Sequence, residues 1–338
     1  MVSPMPRQRE LGRGERVVAG LWRLRLPLPW PGIPHCNAWA VAAGSGVVLV
    51  DTGAHGPGSM ADLELAMHQV RLQVEHVRLV ACTHAHADHY GQAAPIVERA
   101  GCELWMHPNH EHATRPLEAP GLALARRIEI ARGSGVSEAA LALYAERAKE
   151  QPSGIAGWHE PDRELVDGVE IATDLGPLIA YETPGHAPSH VCLFQPERRL
   201  LISGDHLLGR ISLYYDYGWT QDPVGEFLRS LELVQALDAR LCVAGHGRPF
   251  TDVGAHIEAN RKLVRERVEA VTAALEGEPR TVAEVVPEVY GEPLTALNAS
   301  WRLSETLCYL RHLEVEGRVR RERDEAPGNP RPDRWRPA

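Results

Sequence analysis

Apolar and polar positions alternate along the chain with two different periods, and together they predict strands and helices. Residues 16–26 and 36–51 have the composition of strands, and Gly44-Ser45-Gly46 is typical of a hairpin turn. Over residues 59–73 the apolar side chains recur every three or four positions, which predicts a helix. Further runs predict a strand over 77–82, a helix over 91–100 and a strand over 103–106.

The same alternation resumes after residue 168. The predicted elements are strands over 169–172, 178–183, 190–195, 199–204 and 241–244, and helices over 224–237 and 254–275. Strands that alternate with helices indicate an α/β chain with a layered core.

Residues 108–160 interrupt this order with two helical stretches, about 121–132 and 137–150, separated by Gly133-Ser134-Gly135. Such a segment is either a lid over a nearby cleft or a surface insertion without a role, and long excursions beside a site favour the lid. The chain enters it through His107, His110 and His112. These three resemble a further metal cluster, but because they start the insertion we predict them to be surface histidines.

The tail from about residue 278 forms a second unit in this prediction. A helix over 282–290 and another over about 303–316 are followed by the arginine-rich stretch 318–323 and the turn 327–330. Two helices and a basic hairpin resemble a winged helix, so the expected domains are 1–277 and 278–338.

The chain has 338 residues, 44% of them apolar, and a formal net charge of −9. A net negative charge argues against general affinity for nucleic acid, although it permits a local basic patch. The first 16 residues contain charges but no apolar stretch, and no run has the length of a membrane span. A cytoplasmic protein that does not contact membranes is therefore expected.

The most informative motif is Cys82 to Gly91, in which three histidines and one aspartate follow the pattern H-x-H-x-D-H. Imidazoles and carboxylates are common ligands of zinc and related divalent ions. Four ligands so close together exceed what one tetrahedral ion with an open position needs. They are better explained as parts of two adjacent metal sites.

Three more candidate ligands, His186, Asp205 and His246, each follow an apolar, strand-like run and lie next to glycine. Strand ends present side chains to a cleft, and glycine permits sharp turns there. Val48 to Gly53 adds a buried strand that ends in Asp51-Thr52-Gly53.

Over roughly residues 15–260 these motifs resemble the metallo-β-lactamase-fold hydrolases, in the family's order. The resemblance implies an αββα sandwich with a helical insertion (about 108–160), a small C-terminal winged-helix-like domain and two metal ions. By this resemblance Asp51 would orient the site without binding metal. The implied ligands are His84, His86 and His186 for the first ion, Asp88, His89 and His246 for the second, and Asp205 as the bridge between them.

Two ions that share a carboxylate and a water would generate a hydroxide at neutral pH and polarise a carbonyl or phosphoryl oxygen. The expected function is therefore hydrolysis of an ester, thioester or lactone of a small molecule, with Asp88 and Asp205 as the candidate catalytic carboxylates. Zinc suits these ligands best, with iron and manganese as alternatives.

Two other functions stay open at this point. The winged-helix-like tail resembles that of β-lactamase-like endoribonucleases, which would make single-stranded RNA the substrate. A non-catalytic metal-binding module is the third possibility, because fold alone does not fix function. A homo-oligomer is also compatible with the sequence.

Candidate pocket residues are Tyr90, directly after the histidine motif, and Tyr214 and Tyr215, in the aromatic loop after Asp205. Tyrosines in such places either line a pocket for an acyl or aromatic group or pack beneath it.

Overall fold

The structure is a computed structural model that describes residues 11–338 except 31, 151 and 324–330. Its first sheet has seven strands in the order of the chain, antiparallel from β1 to β4 and parallel from β4 to β7. The strands are β1 (Arg13–Val18), β2 (Leu21–Trp30), β3 (Ile33–Ala43), β4 (Gly46–Val50), β5 (Val77–Ala81), β6 (Glu103–Met106) and β7 (Arg163–Glu164).

The second sheet has five strands in the order β12-β11-β10-β9-β8, with only the β11–β12 pair parallel. Its strands are β8 (Glu170–Ile171), β9 (Leu178–Glu182), β10 (Val191–Gln195), β11 (Leu200–Gly204) and β12 (Leu241–Ala244). A two-stranded antiparallel sheet lies in the tail and consists of β13 (Val319–Glu322) and β14 (Arg334–Pro337).

Helices flank both large sheets and also form the insertion. They are α1 (Ser59–Gln69), α2 (Ala87–Tyr90), α3 (Ala93–Ala100), α4 (Glu111–Glu118), α5 (Pro120–Gly133), α6 (Glu138–Glu150), α7 (Pro223–Ala236), α8 (Val253–Ala274), α9 (Val282–Tyr290) and α10 (Ala299–Val315). Helices α1 and α3 share an apolar core with the first sheet, and α7 to α10 share one with the second. The predicted αββα sandwich is confirmed.

A third apolar core fills the space between the two sheets, and its largest side chain is Trp39 on β3. Burying one large apolar side chain contributes about 1.5–3 kcal/mol, so this layer holds the sheets together. At one end the sheets are also joined by hydrogen bonds. The Asn37 amide donates to the carbonyl oxygens of Ala244 (2.8 Å) and Gly247 (3.0 Å), which fixes the end of β12 against β3.

The predicted strand 16–26 is interrupted, which corrects the sequence-based boundary. The chain reverses at Gly20, whose φ is 81°, and β1 pairs antiparallel with β2. Glycine adopts this left-handed conformation without a steric penalty, and the apolar pattern on both sides conceals the turn.

The insertion contains three helices, α4 to α6, where two were predicted. The tail contains α9, α10 and the β13–β14 hairpin, as predicted, while its winged-helix-like assignment stays a prediction. Among the described residues, no helix combines the length and apolar character that crossing a membrane requires.

Candidate metal centre

The H-x-H-x-D-H motif leaves the end of β5 and enters the short helix α2, with His86 at the N-cap. Asp51, directly after β4, holds this loop in place through hydrogen bonds to Thr83. Its Oδ1 accepts the backbone N–H of Thr83 (2.8 Å) and its Oδ2 accepts the Thr83 hydroxyl (3.0 Å). Asp51 has a φ of 62°, a strained conformation that these buried bonds stabilise.

The first group of candidate ligands consists of His84, His86 and His186. His86 Nδ1 lies 3.0 Å from His84 Nε2 and 3.1 Å from His186 Nε2. Nitrogen ligands about 2.0–2.1 Å from a tetrahedral zinc ion would be roughly 3.3 Å apart. The three nitrogens therefore converge on a space that suits one metal ion.

The second group consists of Asp88, His89 and His246. Asp88 Oδ2 lies 3.6 Å from His89 Nε2 and 3.1 Å from His246 Nε2. These three atoms also surround a space large enough for one ion.

Asp205 lies between the two groups. Its Oδ1 is 3.4 Å from His89 Nε2, and its Oδ2 is 3.3 Å from His246 Nε2 and 3.8 Å from His186 Nε2. Asp205 Oδ1 and His89 Nε2 are buried and have no hydrogen-bond partner within the described chain. Unsatisfied buried polar atoms are rare, and a divalent cation would satisfy both of these. The donor set therefore fits two divalent ions.

The other ring nitrogen of three candidate ligands is held by hydrogen bonds. His89 Nδ1 donates to Asp51 Oδ2 (2.8 Å), His246 Nδ1 to the carbonyl oxygen of His35 (2.8 Å), and His186 Nδ1 to that of Tyr214 (3.1 Å). Each bond leaves Nε2 free to face the metal site, because only one nitrogen of a neutral imidazole carries a proton. The structure thus places Asp51 behind His89 and not among the ligand atoms.

Burial and neighbouring charges shift the pKa values of these groups. Burial lowers the pKa of His84 well below its ordinary value, and the nearby histidines lower it further. Burial alone would raise the pKa of Asp205, but His246 and His89 outweigh it and hold that pKa well below the usual range. For His84 and Asp205 these shifts favour the neutral imidazole and the ionised carboxylate, which are the forms that bind metal. The carboxylates beside His89 and His246 instead outweigh burial and raise the pKa of both imidazoles, so metal binding there would displace a proton.

Two residues near the site were not identified from the sequence as functional. Asp216 Oδ2 accepts a hydrogen bond from His86 Nε2 (2.8 Å) and lies 3.1 Å from His112 Nδ1. The prediction that His107 and His112 are surface histidines is wrong, since their exposed fractions are only 5% and 7%. The available signal was Asp216 itself, a single acid within an aromatic loop.

The three candidate pocket tyrosines are in different environments. Tyr90 and Tyr215 are fully buried, which favours packing beneath the site, one of the two alternatives that the sequence left open. The Tyr90 hydroxyl accepts the backbone N–H of His159 (2.8 Å). Tyr214 remains partly exposed, with its ring centre 5.9 Å from that of His86 and 5.7 Å from that of His186.

Comparison with known proteins gives consistent results. The chain is 26% identical over 294 residues to the probable metallo-hydrolase YqjP of Bacillus subtilis, covering 81% of this chain and 86% of that protein. A crystal structure of a metallo-beta-lactamase family protein from Thermus thermophilus superposes with a TM-score of 0.79 and 28% identity, covering 96% of this chain and all of the other. The chain is also 29% identical over 146 residues to an atrochrysone carboxyl ACP thioesterase of Aspergillus chevalieri. That alignment covers 39% of this chain and 45% of the thioesterase.

Family descriptions match two consecutive parts of the chain. Residues 268–330 match the metallo-beta-lactamase-like C-terminal domain. Residues 31–246 match the metallo-beta-lactamase superfamily, and this segment contains both ligand groups and Asp205. Since fold, ligand geometry and sequence agree over most of its length, the chain belongs to the metallo-β-lactamase superfamily of metal-dependent hydrolases.

Proposed function

We propose that the protein is a dinuclear metal-dependent hydrolase that cleaves an ester, thioester or lactone of a small molecule, with thioesters as the first class to test. The observation that carries this proposal is the position of Asp205. One carboxylate faces both ligand groups, and its Oδ1 is buried without a hydrogen-bond partner among the residues that the structure describes.

Two bound divalent ions would supply Lewis acidity and lower the pKa of a bound water towards neutrality. The chain's part is to hold six ligands and the bridge in place before substrate arrives. His89, His186 and His246 are each fixed through Nδ1, so their Nε2 atoms keep their direction when substrate binds or product leaves. We propose zinc as the native metal, because imidazole and carboxylate ligands suit it.

The thioester preference is supported by two observations. A relative that shares part of this sequence is a thioesterase acting on an acyl carrier protein substrate. Tyr214 lies beside His86 and His186 and remains partly exposed, so its ring can contact an acyl or aromatic group next to the metals.

Cleavage of RNA is less well supported, because four arginines of the tail already have acidic partners. Arg318 pairs with Glu316 (3.1 Å) and Arg334 with Glu284 (3.8 Å). Arg321 with Asp333 and Arg336 with Glu322 form two further ion pairs. Paired guanidinium groups are less available to phosphates, and the net charge of −9 adds a general repulsion.

The test is a hydrolysis assay of the zinc-loaded full chain on an acyl thioester, an aryl ester, a lactone and a short single-stranded RNA. The variant is Asp205→Asn, and its matched control is Asp252→Asn, an exposed aspartate that makes no side-chain cap. Metal content per chain is measured on the same samples. We expect thioester turnover, two zinc ions per chain, and a loss of about a hundredfold or more in Asp205→Asn only.

Full activity in Asp205→Asn would contradict the bridging role. RNA cleavage that is lost in this variant, without turnover of the carbonyl substrates, would make the protein an endoribonuclease. Binding of two ions without hydrolysis of any substrate would favour a metal-binding module.

A further inference from the structure

A chain of buried hydrogen bonds reaches His86 from outside the ligand set. The Ser189 hydroxyl lies 2.8 Å from His112 Nε2, and His112 Nδ1 lies 3.1 Å from Asp216 Oδ2. The same Asp216 oxygen lies 2.8 Å from His86 Nε2. Ser189 is fully buried, and the side chain of Asp216 is 12% exposed.

The direction of each hydrogen bond follows from what each group can donate. A carboxylate oxygen only accepts, so His86 must carry its proton on Nε2 and His112 on Nδ1. His112 Nε2 then accepts from the Ser189 hydroxyl. That hydroxyl in turn accepts the backbone N–H of Ala85 (3.1 Å), the residue between His84 and His86. With its proton on Nε2, His86 can present only Nδ1 to the other two histidines of its group.

We propose that Asp216, supported by His112 and Ser189, is a positioning group that fixes the ring of His86 for metal binding. His86 is thus held in the same way as His89, which rests on Asp51, but through residues from different parts of the chain. This inference rests on the proposed function for the role of His86 as a ligand.

A Ser-His-Asp arrangement also suggests covalent hydrolysis, with Ser189 as the nucleophile. The structure argues against that role, because Ser189 has no exposed surface and its oxygen already accepts the Ala85 N–H. A third metal site at His86, His112 and Asp216 is a second alternative. A hydrogen bond explains the geometry better, because both imidazoles approach the same Asp216 oxygen at 2.8 and 3.1 Å.

The loop that carries Asp216 is held from two sides. From α10, Trp301 Nε1 donates to the carbonyl oxygen of Leu213 (2.8 Å) and the Ser304 hydroxyl to that of Tyr215 (2.6 Å). From the insertion, Arg126 donates to the carbonyl oxygen of Gly218 (2.8 Å). His112 itself lies on α4. The insertion and the C-terminal unit therefore both help to position a metal ligand.

The test is zinc binding to the metal-free full chain, measured by competition with a chelating dye. The variants are Asp216→Ala, which removes the acceptor, and Asp216→Asn, which keeps one oxygen. Asp162→Ala is the matched control, since this carboxylate directly after the insertion accepts the Leu104 N–H (2.8 Å) and belongs to neither ligand group. Circular dichroism checks the fold, and ¹⁵N spectra of the histidine rings report which nitrogen of His86 is protonated.

We expect Asp216→Ala to weaken binding of one of the two zinc ions by about 10- to 100-fold and to leave the other unchanged. Asp216→Asn should lose less affinity, Asp162→Ala none, and the His86 proton should lose its preference for Nε2 only in Asp216→Ala. Wild-type affinity for both ions in Asp216→Ala would overturn the proposal. If that variant does not fold, wild-type affinity in Asp216→Asn overturns it instead.

Three zinc ions in the wild type and two in Asp216→Ala would also overturn the proposal, in favour of a third metal site. A Ser189→Ala variant that binds both ions normally but hydrolyses no substrate would also overturn the proposal, because it would indicate that Ser189 is a nucleophile. If the wild-type chain binds two ions but hydrolyses no substrate, the proposed function is contradicted. The zinc affinities of the wild type and of Asp216→Ala still test the role of Asp216 in that case.

Discussion

Gly245 lies so close to Asp205 that no side chain fits between them. A Cβ placed on Gly245 would overlap Asp205 Oδ1 and would lie 2.5 Å from His89 Cε1. The glycine before His246 therefore lets β12 end directly against the residue that joins the two ligand groups. Its role is close approach, since its φ lies outside the left-handed region.

We therefore expect Gly245→Ala to displace Asp205 or His89, because the extra methyl group has no space. Overpacking of this kind costs about 1–3 kcal/mol of stability. Thermal unfolding measures the loss of stability, and zinc titration of the same samples measures the effect on the metal site. Gly254→Ala is the control, since it lies in open space on α8 and should change stability by no more than about 1 kcal/mol. Unchanged zinc binding in Gly245→Ala would show that the site tolerates the methyl group.

Asp51→Asn should weaken binding of the ion that His89 would hold. Asp51 accepts three hydrogen bonds, from the Thr83 N–H, the Thr83 hydroxyl and His89 Nδ1. An amide replaces one accepting oxygen with a donating NH₂, so at least one donor must face another donor. We expect about 10- to 100-fold weaker zinc binding, measured by titration. Asparagine tolerates the positive φ at this position, so a change in zinc affinity would not be due to added backbone strain.

Asp174→Asn is the matched control for that experiment. Asp174 accepts a single hydrogen bond, from the backbone N–H of Gly44 (2.9 Å), which an amide oxygen can also accept. Equal zinc affinities in Asp51→Asn and Asp174→Asn would exclude a role for Asp51 in metal binding.

Tyr90→Phe should reduce stability and leave turnover nearly unchanged. Removal of the hydroxyl leaves the backbone N–H of His159 without its present acceptor, at a cost of about 1–3 kcal/mol. Urea unfolding measures the loss, and kcat/KM on the best substrate should stay within about twofold of the wild type. A tenfold drop in kcat/KM would restore Tyr90 as a pocket residue.

Stability should depend on Asp222 in a pH-dependent way. Asp222 caps α7 by accepting the Gly225 N–H (2.9 Å), and its carboxylate contacts His312 Nδ1 on α10 (3.0 Å). Burial alone would raise its pKa, but the hydrogen bonds from His312 and Gly225 outweigh it and leave the pKa below the ordinary value. A lowered pKa in the folded state stabilises the protein above the unfolded pKa of about 3.9, and this stability is lost as the pH falls further.

We therefore expect Asp222→Ala to lose about 1–2 kcal/mol near neutral pH, where both the cap and the charge are removed. Asp222→Asn should lose less, because asparagine caps helices well. Melting temperatures between pH 6 and pH 3 measure both variants. The differences from the wild type should shrink below about pH 4, and a difference that stays constant there would show that the charge contributes nothing.

The sequence predicts strands and helices well where the spacing of apolar residues and their order along the chain determine the bounds. The strand Glu103–Met106 and the helix Val282–Tyr290 have the predicted bounds, because apolar spacing and a capping Thr281 mark them. The candidate ligands could be predicted for a similar reason, since four of them share one short motif. Each of the others follows a strand and lies next to glycine.

Asp216 and His112 could not be predicted, because their relationship to the site depends on distant parts of the chain. Asp216 lies 130 residues from His86, and His112 lies 77 residues from Ser189. Neither pair has a characteristic spacing, and a histidine at the start of an insertion has the same local sequence whether it is buried or exposed. The two alternatives for Tyr90 and Tyr215 stayed open for a related reason, because composition does not show which side of a loop faces the core.

The attachment of the loop carrying Asp216 to both the insertion and α10 has a consequence for protein engineering. An exchange of the segment 108–160 or of the tail between relatives brings in different partners for that loop. We expect such chimaeras to lose metal unless residues 213–219 are exchanged together with the donor segment. In this superfamily member the outer modules and the metal-binding loop would therefore have to be inherited as one unit, which restricts where recombination yields an active enzyme.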